Sequence, residues 1–158
     1  MNNPNQIRGA QLYSLLVVRV LIGWYFLYQG VIKLLNPNWS AYGFLKSAQG
    51  WFADGFSALA DNPAVVDVIN FMNVWGLVAI GLGLITGALS RVASLSGAVL
   101  VSLYYLSHPP LIGAEQALLT ENVLWVDKNL IFIAILVVLY LFPTGHIVGL
   151  DRLMFHRK

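Results

Sequence analysis

Between Leu12 and Leu35 the chain runs at hydrocarbon length with only two charges, Arg19 and Lys33. A helix needs about 20 apolar residues to cross the ~30 Å core of a bilayer, so this run predicts a first membrane span. It is too long for the apolar region of a signal peptide, and no small-residue cleavage site follows it. At about 100° per residue, Arg19, Gly23, Phe26, Gly30 and Lys33 fall on one stripe, with the two cations ~21 Å apart along the axis. Charges inside a span are costly unless they snorkel or find partners, so other helices are expected to meet this stripe. Gly23 and Gly30 are expected to let one of them approach closely.

Of 158 residues, 58% are hydrophobic and 10% charged, with a mean hydropathy of +0.72. That composition points away from a soluble domain and toward one integral membrane domain over 1–158, and the four apolar runs along the chain predict an all-α four-helix bundle. The expected spans are about 12–35, 64–86, 90–106 and 123–142. Asn36-Pro37 ends the first, since proline cannot continue a helix. The connection from Asn38 to Asn62 carries Trp39, Tyr42, Phe44, Trp51, Phe52 and Phe56. Short helices in the membrane interface explain that aromatic content better than a solvated loop. Asn62-Pro63 reads as an N-cap followed by proline at the first helical position. A tight turn is expected at Gly87 to Ser90, and His108-Pro109-Pro110 and Pro143-Thr144-Gly145 close the third and fourth spans. No internal repeat or low-complexity segment is evident.

Charge placement predicts orientation. With four spans, one side collects Arg8, Arg19, Arg91, Arg152, Arg157 and Lys158 against Asp151 alone. The other collects Lys33, Lys46 and Lys128 against Asp54, Asp61, Asp67, Glu115, Glu121 and Asp127. Basic residues mark the cytoplasmic side, so both termini are expected inside. The basic residues form no stripe, which points away from nucleic acid. The absence of cysteine excludes disulfides, thiolate metal sites and thiol relays within the chain.

Counting depth along each helix places Lys33, Asp67, Asp127 and Lys128 within about two turns of the outer boundary, and Gln29, Asn70, Asn73 and Asn129 slightly deeper. Together with Tyr104 they are candidates for one outward-facing polar pocket. The ligand-binding candidates are Gln29, Lys33, Asp67, Asn70, Tyr104, Asp127 and Asn129. This set offers hydrogen-bond donors and acceptors from several helices at one depth, as a small-molecule site requires. The competing reading is an interhelical salt bridge that serves only stability. Arg19 lies toward the inner side, where Asp151 is the one acidic residue, so an Arg19 to Asp151 ion pair is expected. His108 is read as a helix-end residue. His146 and His156 lie on the opposite side from it, so the three histidines are not expected to share a metal or to ligate haem. No phosphate-binding loop, flavin motif or hydrolytic triad is present.

The stretch RVLIGWYFLYQGVIKLLNP, with VDKNL opening the fourth span and GLDRL after it, resembles the DoxX family of small four-helix bacterial membrane proteins. These motifs identify the family as a set, and the resemblance covers Leu12 to Leu153 apart from Trp39 to Ala60. It implies a multi-pass protein of the bacterial inner membrane with both termini inside. Its relative DoxD is a subunit of a thiosulfate:quinone oxidoreductase, and other relatives are linked with redox partners in membrane complexes. The resemblance therefore implies a quinone-linked role, with quinone as the candidate cofactor, and a partner subunit or a homo-oligomer in the bilayer. Without cysteine to carry sulfur, thiosulfate oxidation is not expected of this chain alone. The alternative class is a non-catalytic membrane scaffold, or a carrier of lipid or another small molecule.

Overall fold

The computed structural model describes residues 9–110 and 126–155. The expected second loop, Leu111 to Asn122, and the first residues of the fourth span lie outside them. The described helices are α1 (Gly9–Leu35), α2 (Tyr42–Lys46), α3 (Ala53–Ala60), α4 (Pro63–Thr86), α5 (Ser90–Ser107), α6 (Lys128–Leu141) and α7 (Leu150–Phe155). Two of these, α1 and α4, are long and apolar enough to cross a membrane, and α6 is a shorter apolar helix. The core helix of a soluble protein would hide its large side chains. Here Leu21, Trp24, Phe71 and Met72 are each more than 60% exposed, as lipid-facing residues are.

Glycine decides how α1 and α4 pack. A Cβ on Gly23 would meet Ile85 and Leu84 at 2.9 Å, one on Gly30 would meet Val78 at 2.7 Å, and one on Gly81 would lie 2.5 Å from the backbone nitrogen of Leu27. The two helices thus touch nearly backbone to backbone, as the stripe on the first helix implies. Gly81→Val presses on the backbone and Cβ of Leu27, which cannot swing aside, and is expected to lower stability by about 1–3 kcal/mol. Gly55→Ala, where an added Cβ meets nothing within 4 Å, is the neutral control. Comparable melting temperatures of the two variants in detergent would refute the close crossing.

The core joins Ile22 and Phe26 of α1, Leu77, Ile80 and Leu84 of α4, Ala93, Ala98 and Val101 of α5, and Leu136 of α6. A second cluster, Ala41, Leu45, Ala60 and Val66, seats α2 and α3 on the first turns of α4, with Trp39, Phe56 and Ile69 against it. Asn62 caps α4, accepting the Ala64 N–H at 3.0 Å, with Pro63 in the first turn. Asp127 caps α6 through the Leu130 N–H at 2.9 Å. At the other end of the bundle α4 stops at Gly87, whose φ of 69° is left-handed, and the turn into α5 also holds Leu89 at φ 50°. A non-glycine residue there costs ~1–2 kcal/mol, so something must hold the turn.

That restraint is α7. Asp151 is buried and accepts from the Leu89 N–H, the Ser90 N–H at 3.0 Å and the Ser90 hydroxyl at 2.8 Å, while its own N–H donates to the Gly87 carbonyl at 3.1 Å. Burial alone would raise the Asp151 carboxyl, but these three hydrogen bonds and the nearby His146 outweigh it and hold the group below the usual carboxylate range. Arg19 is also buried here, donating to the Thr144 hydroxyl at 2.8 Å and the Val148 carbonyl at 2.9 Å. The expected Arg19 to Asp151 ion pair is therefore corrected. Arg19 binds the 144–148 turn, Asp151 binds the start of α5, and the two are coupled only through the field across this latch. Lys46 and Asp61 form a close ion pair on the surface, away from this latch.

Candidate functional site

About 21 Å along α1 from Arg19, by helical rise, the second cation of the stripe opens on a different environment. Lys33 is half-buried and donates to the Asn73 amide oxygen at 2.8 Å, and the Asn73 amide nitrogen in turn donates to the Tyr104 hydroxyl. The ammonium sits 4.6 Å from the ring centroid of Trp39 and 5.7 Å from that of Tyr104. No carboxylate pairs with it among the described residues. Among the described residues Asn73 takes one of the three ammonium donors and two ring faces flank the charge, which leaves donors for a ligand.

What Lys33 faces is a cavity of about 370 Å³, within the ~300–1,000 Å³ of small-molecule sites. Helix α1 contributes Tyr25, Phe26, Gln29 and Lys33, and α4 contributes Asn73 and Leu77. Val101 and Tyr104 come from α5, and Lys128, Asn129 and Phe132 from α6, with Trp39 to Ala41, Phe44 and His108 closing the mouth. Edge contacts fix the walls: Tyr25 against Phe132 at 4.7 Å between centroids, and Phe44 against Tyr104 at 5.6 Å. The His108 ring lies 4.5 Å from Phe44, and its nitrogens meet the hydroxyls of Ser47 at 3.2 Å and Ser107 at 3.1 Å. Asn129 gives its amide nitrogen to Asp127 at 2.7 Å, which leaves its oxygen as an acceptor. Gln29 lines the same space and is half-buried.

Of the candidate residues, the structure gathers Gln29, Lys33, Tyr104 and Asn129 around this cavity and leaves out three. Asp67 is exposed on another face of α4. Asn70 accepts the Ala41 N–H at 2.7 Å and pins the connection after α1. Asp127 stands behind Asn129 as the cap of α6 and orients it. Two residues were undervalued in the sequence. Asn73 is the hub of the polar chain, and His108 is built into the mouth by two hydroxyls rather than serving only as a helix end. Among the described residues no group of three or more His, Asp or Glu side chains is placed to hold a metal.

No curated protein and no solved structure matches the chain. A family model does, over residues 14–108, which takes in the first three long helices and, with them, Lys33, Asn73, Tyr104 and His108. That span is more than half of the 158 residues, and by it the chain belongs to the DoxX family.

Proposed function

We propose that the cavity binds the headgroup of a quinone, and that the chain is the quinone-binding membrane subunit of a redox complex whose electron donor is a partner protein. The observation that carries this reading is the Lys33 ammonium, set over the rings of Trp39 and Tyr104 in a cavity with aromatic walls and bonded to the Asn73 amide oxygen. A flat ring with two carbonyls suits that setting: Lys33 and Gln29 supply donors to the oxidised form. The oxygens of Gln29 and Asn129 accept from the hydroxyls of the reduced form. A bound quinone supplies a two-electron acceptor, and the residues of this chain orient it and exclude water. In this reading α1, α4, α5 and α6 cross the bacterial cell membrane with both termini inside, so the cavity faces outward, as the excess of basic residues on the Arg19 side supports.

The test uses purified protein in detergent and a water-soluble short-tailed quinone. Quenching of tryptophan fluorescence is expected to saturate, since Trp39 lines the cavity. At 100 times the dissociation constant the ligand should add ~2.7 kcal/mol of stability, seen as a rise of several degrees in melting temperature. Quenching that never saturates, with an unchanged melting temperature, would defeat the redox reading in favour of a scaffold or a carrier of another molecule.

A further inference from the structure

A second, larger cavity of about 620 Å³ runs between α4 and α5 beneath α2 and α3. It differs in chemistry from the first. Its walls are apolar side chains such as Leu45, Phe56, Ile69, Met72, Leu100 and Leu103. The two spaces meet at Ala41, Phe44, Asn73 and Tyr104, which line both. At that junction the polar atoms are already used, because Asn73 and Tyr104 bond each other and Asn73 accepts from Lys33. A headgroup therefore has its partners on one side of the junction, and the other side receives hydrocarbon alone.

We infer that the groove between α4 and α5 holds the isoprenoid tail of the quinone whose headgroup occupies the polar cavity. This rests on the headgroup reading above and specifies the ligand as a long-tailed, membrane-borne quinone. The shared lining at Ala41, Phe44, Asn73 and Tyr104 puts the groove directly beside the cavity, within reach of a tail attached to a headgroup seated there. An apolar tail in an apolar slot adds affinity in proportion to the surface it hides. Exposed Leu95 and Val99 on the rim put the open side of the groove toward lipid, so the ligand enters sideways from the bilayer.

Gly76 makes the groove testable. It lines the groove, and a Cβ added there meets nothing within 4 Å, so Gly76→Leu fills the slot without pressing on a neighbouring helix. Ser96→Leu does the same from the exposed face of α5. Saturable tryptophan quenching in nanodiscs would compare a quinone carrying one isoprene unit with one carrying several. Wild type is expected to bind the long-tailed quinone more tightly. Gly76→Leu and Ser96→Leu should each reduce that advantage about tenfold or more, the scale on which apolar pockets discriminate by a few methylenes. Binding of the short-tailed quinone should be unchanged in both. Two variants that keep the full long-tail advantage would overturn the groove assignment while leaving the headgroup site standing. A phospholipid that co-purifies with wild type and is lost from Gly76→Leu, with quinone preference unaltered, would make the groove a lipid site and also overturn it. If wild type binds neither quinone, the headgroup reading fails and the tail assignment falls with it.

Discussion

Asp151→Asn is expected to lower the melting temperature of the detergent-solubilised protein by about 10 °C. The carboxylate accepts two N–H groups and a hydroxyl at the start of α5, where the helix dipole also favours a negative charge. Asparagine presents an NH₂ to one of these donors and removes the charge that faces Arg19 across the latch. Hydrogen bonds to charged groups contribute ~1.5–3 kcal/mol each, and a buried cation left uncompensated adds to the loss, so a net cost of about 3 kcal/mol follows. At ~2–4 °C per kcal/mol for a chain of this size, that is roughly 10 °C. The pH dependence has a definite sign. Because the folded-state pKa of Asp151 lies below its unfolded value, its contribution is fully present above an unfolded pKa of ~3.9 and is lost as pH falls through the folded pKa. Wild type should hold its melting temperature from neutrality to about pH 4 and then fall. The Asn variant should start lower and lose that part of the acid limb. Equal melting temperatures at pH 7, or parallel acid limbs, would show that the latch does not hold the turn at Leu89.

The same latch shows what charge counting can and cannot find. Asp151 was the evident partner for Arg19 because it was the one acidic residue expected on that side. A count of charges does not register that the turn after Pro143 presents the Val148 carbonyl and the Thr144 hydroxyl to the guanidinium. Nor does it register that two backbone N–H groups at the strained start of α5 compete for the carboxylate. Three members of the outer polar set, Asp67, Asn70 and Asp127, lie away from the cavity lining for a different reason. Depth along a helix fixes height but not azimuth, and a step of three residues swings the side chain by about 60°. Asp67, Asn70 and Asn73 are two such steps on α4. Asn73 reaches the cavity, Asn70 meets the connection at Ala41, and Asp67 is exposed. Features set by local chemistry were legible: the Asn62-Pro63 start of α4, the turn at Gly87, and the close approach allowed by Gly23 and Gly30.

Lys33→Met is expected to weaken quinone binding by about 10- to 100-fold, the equivalent of ~1.5–3 kcal/mol for a hydrogen bond from a charged donor. Loss of binding alone does not separate a ligand site from a structural contact, because the single variant also strands a neighbour. Asn73 is buried, and its amide oxygen accepts from Lys33. Without that donor the oxygen is unsatisfied, at a cost of roughly 1–3 kcal/mol. Lys33→Met should therefore melt below wild type. Removing both partners reverses this: with Lys33→Met and Asn73→Leu together no orphaned amide remains, and the desolvation cost of a half-buried ammonium is gone. Tyr104 then keeps its place in the cavity wall through its contact with Phe44, and its hydroxyl is open to water in the cavity. The double variant should recover a melting temperature at or above that of wild type while binding stays lost. That separation is what a site held at some cost to stability predicts, since function and stability then draw on the same residues in opposite directions. A double variant that remains less stable than the single one would identify the Lys33, Asn73 and Tyr104 chain as a structural tie between α1, α4 and α5. Recovery of both stability and quinone binding would show that the headgroup takes its donors elsewhere in the cavity, with Gln29 and Lys128 the next to replace.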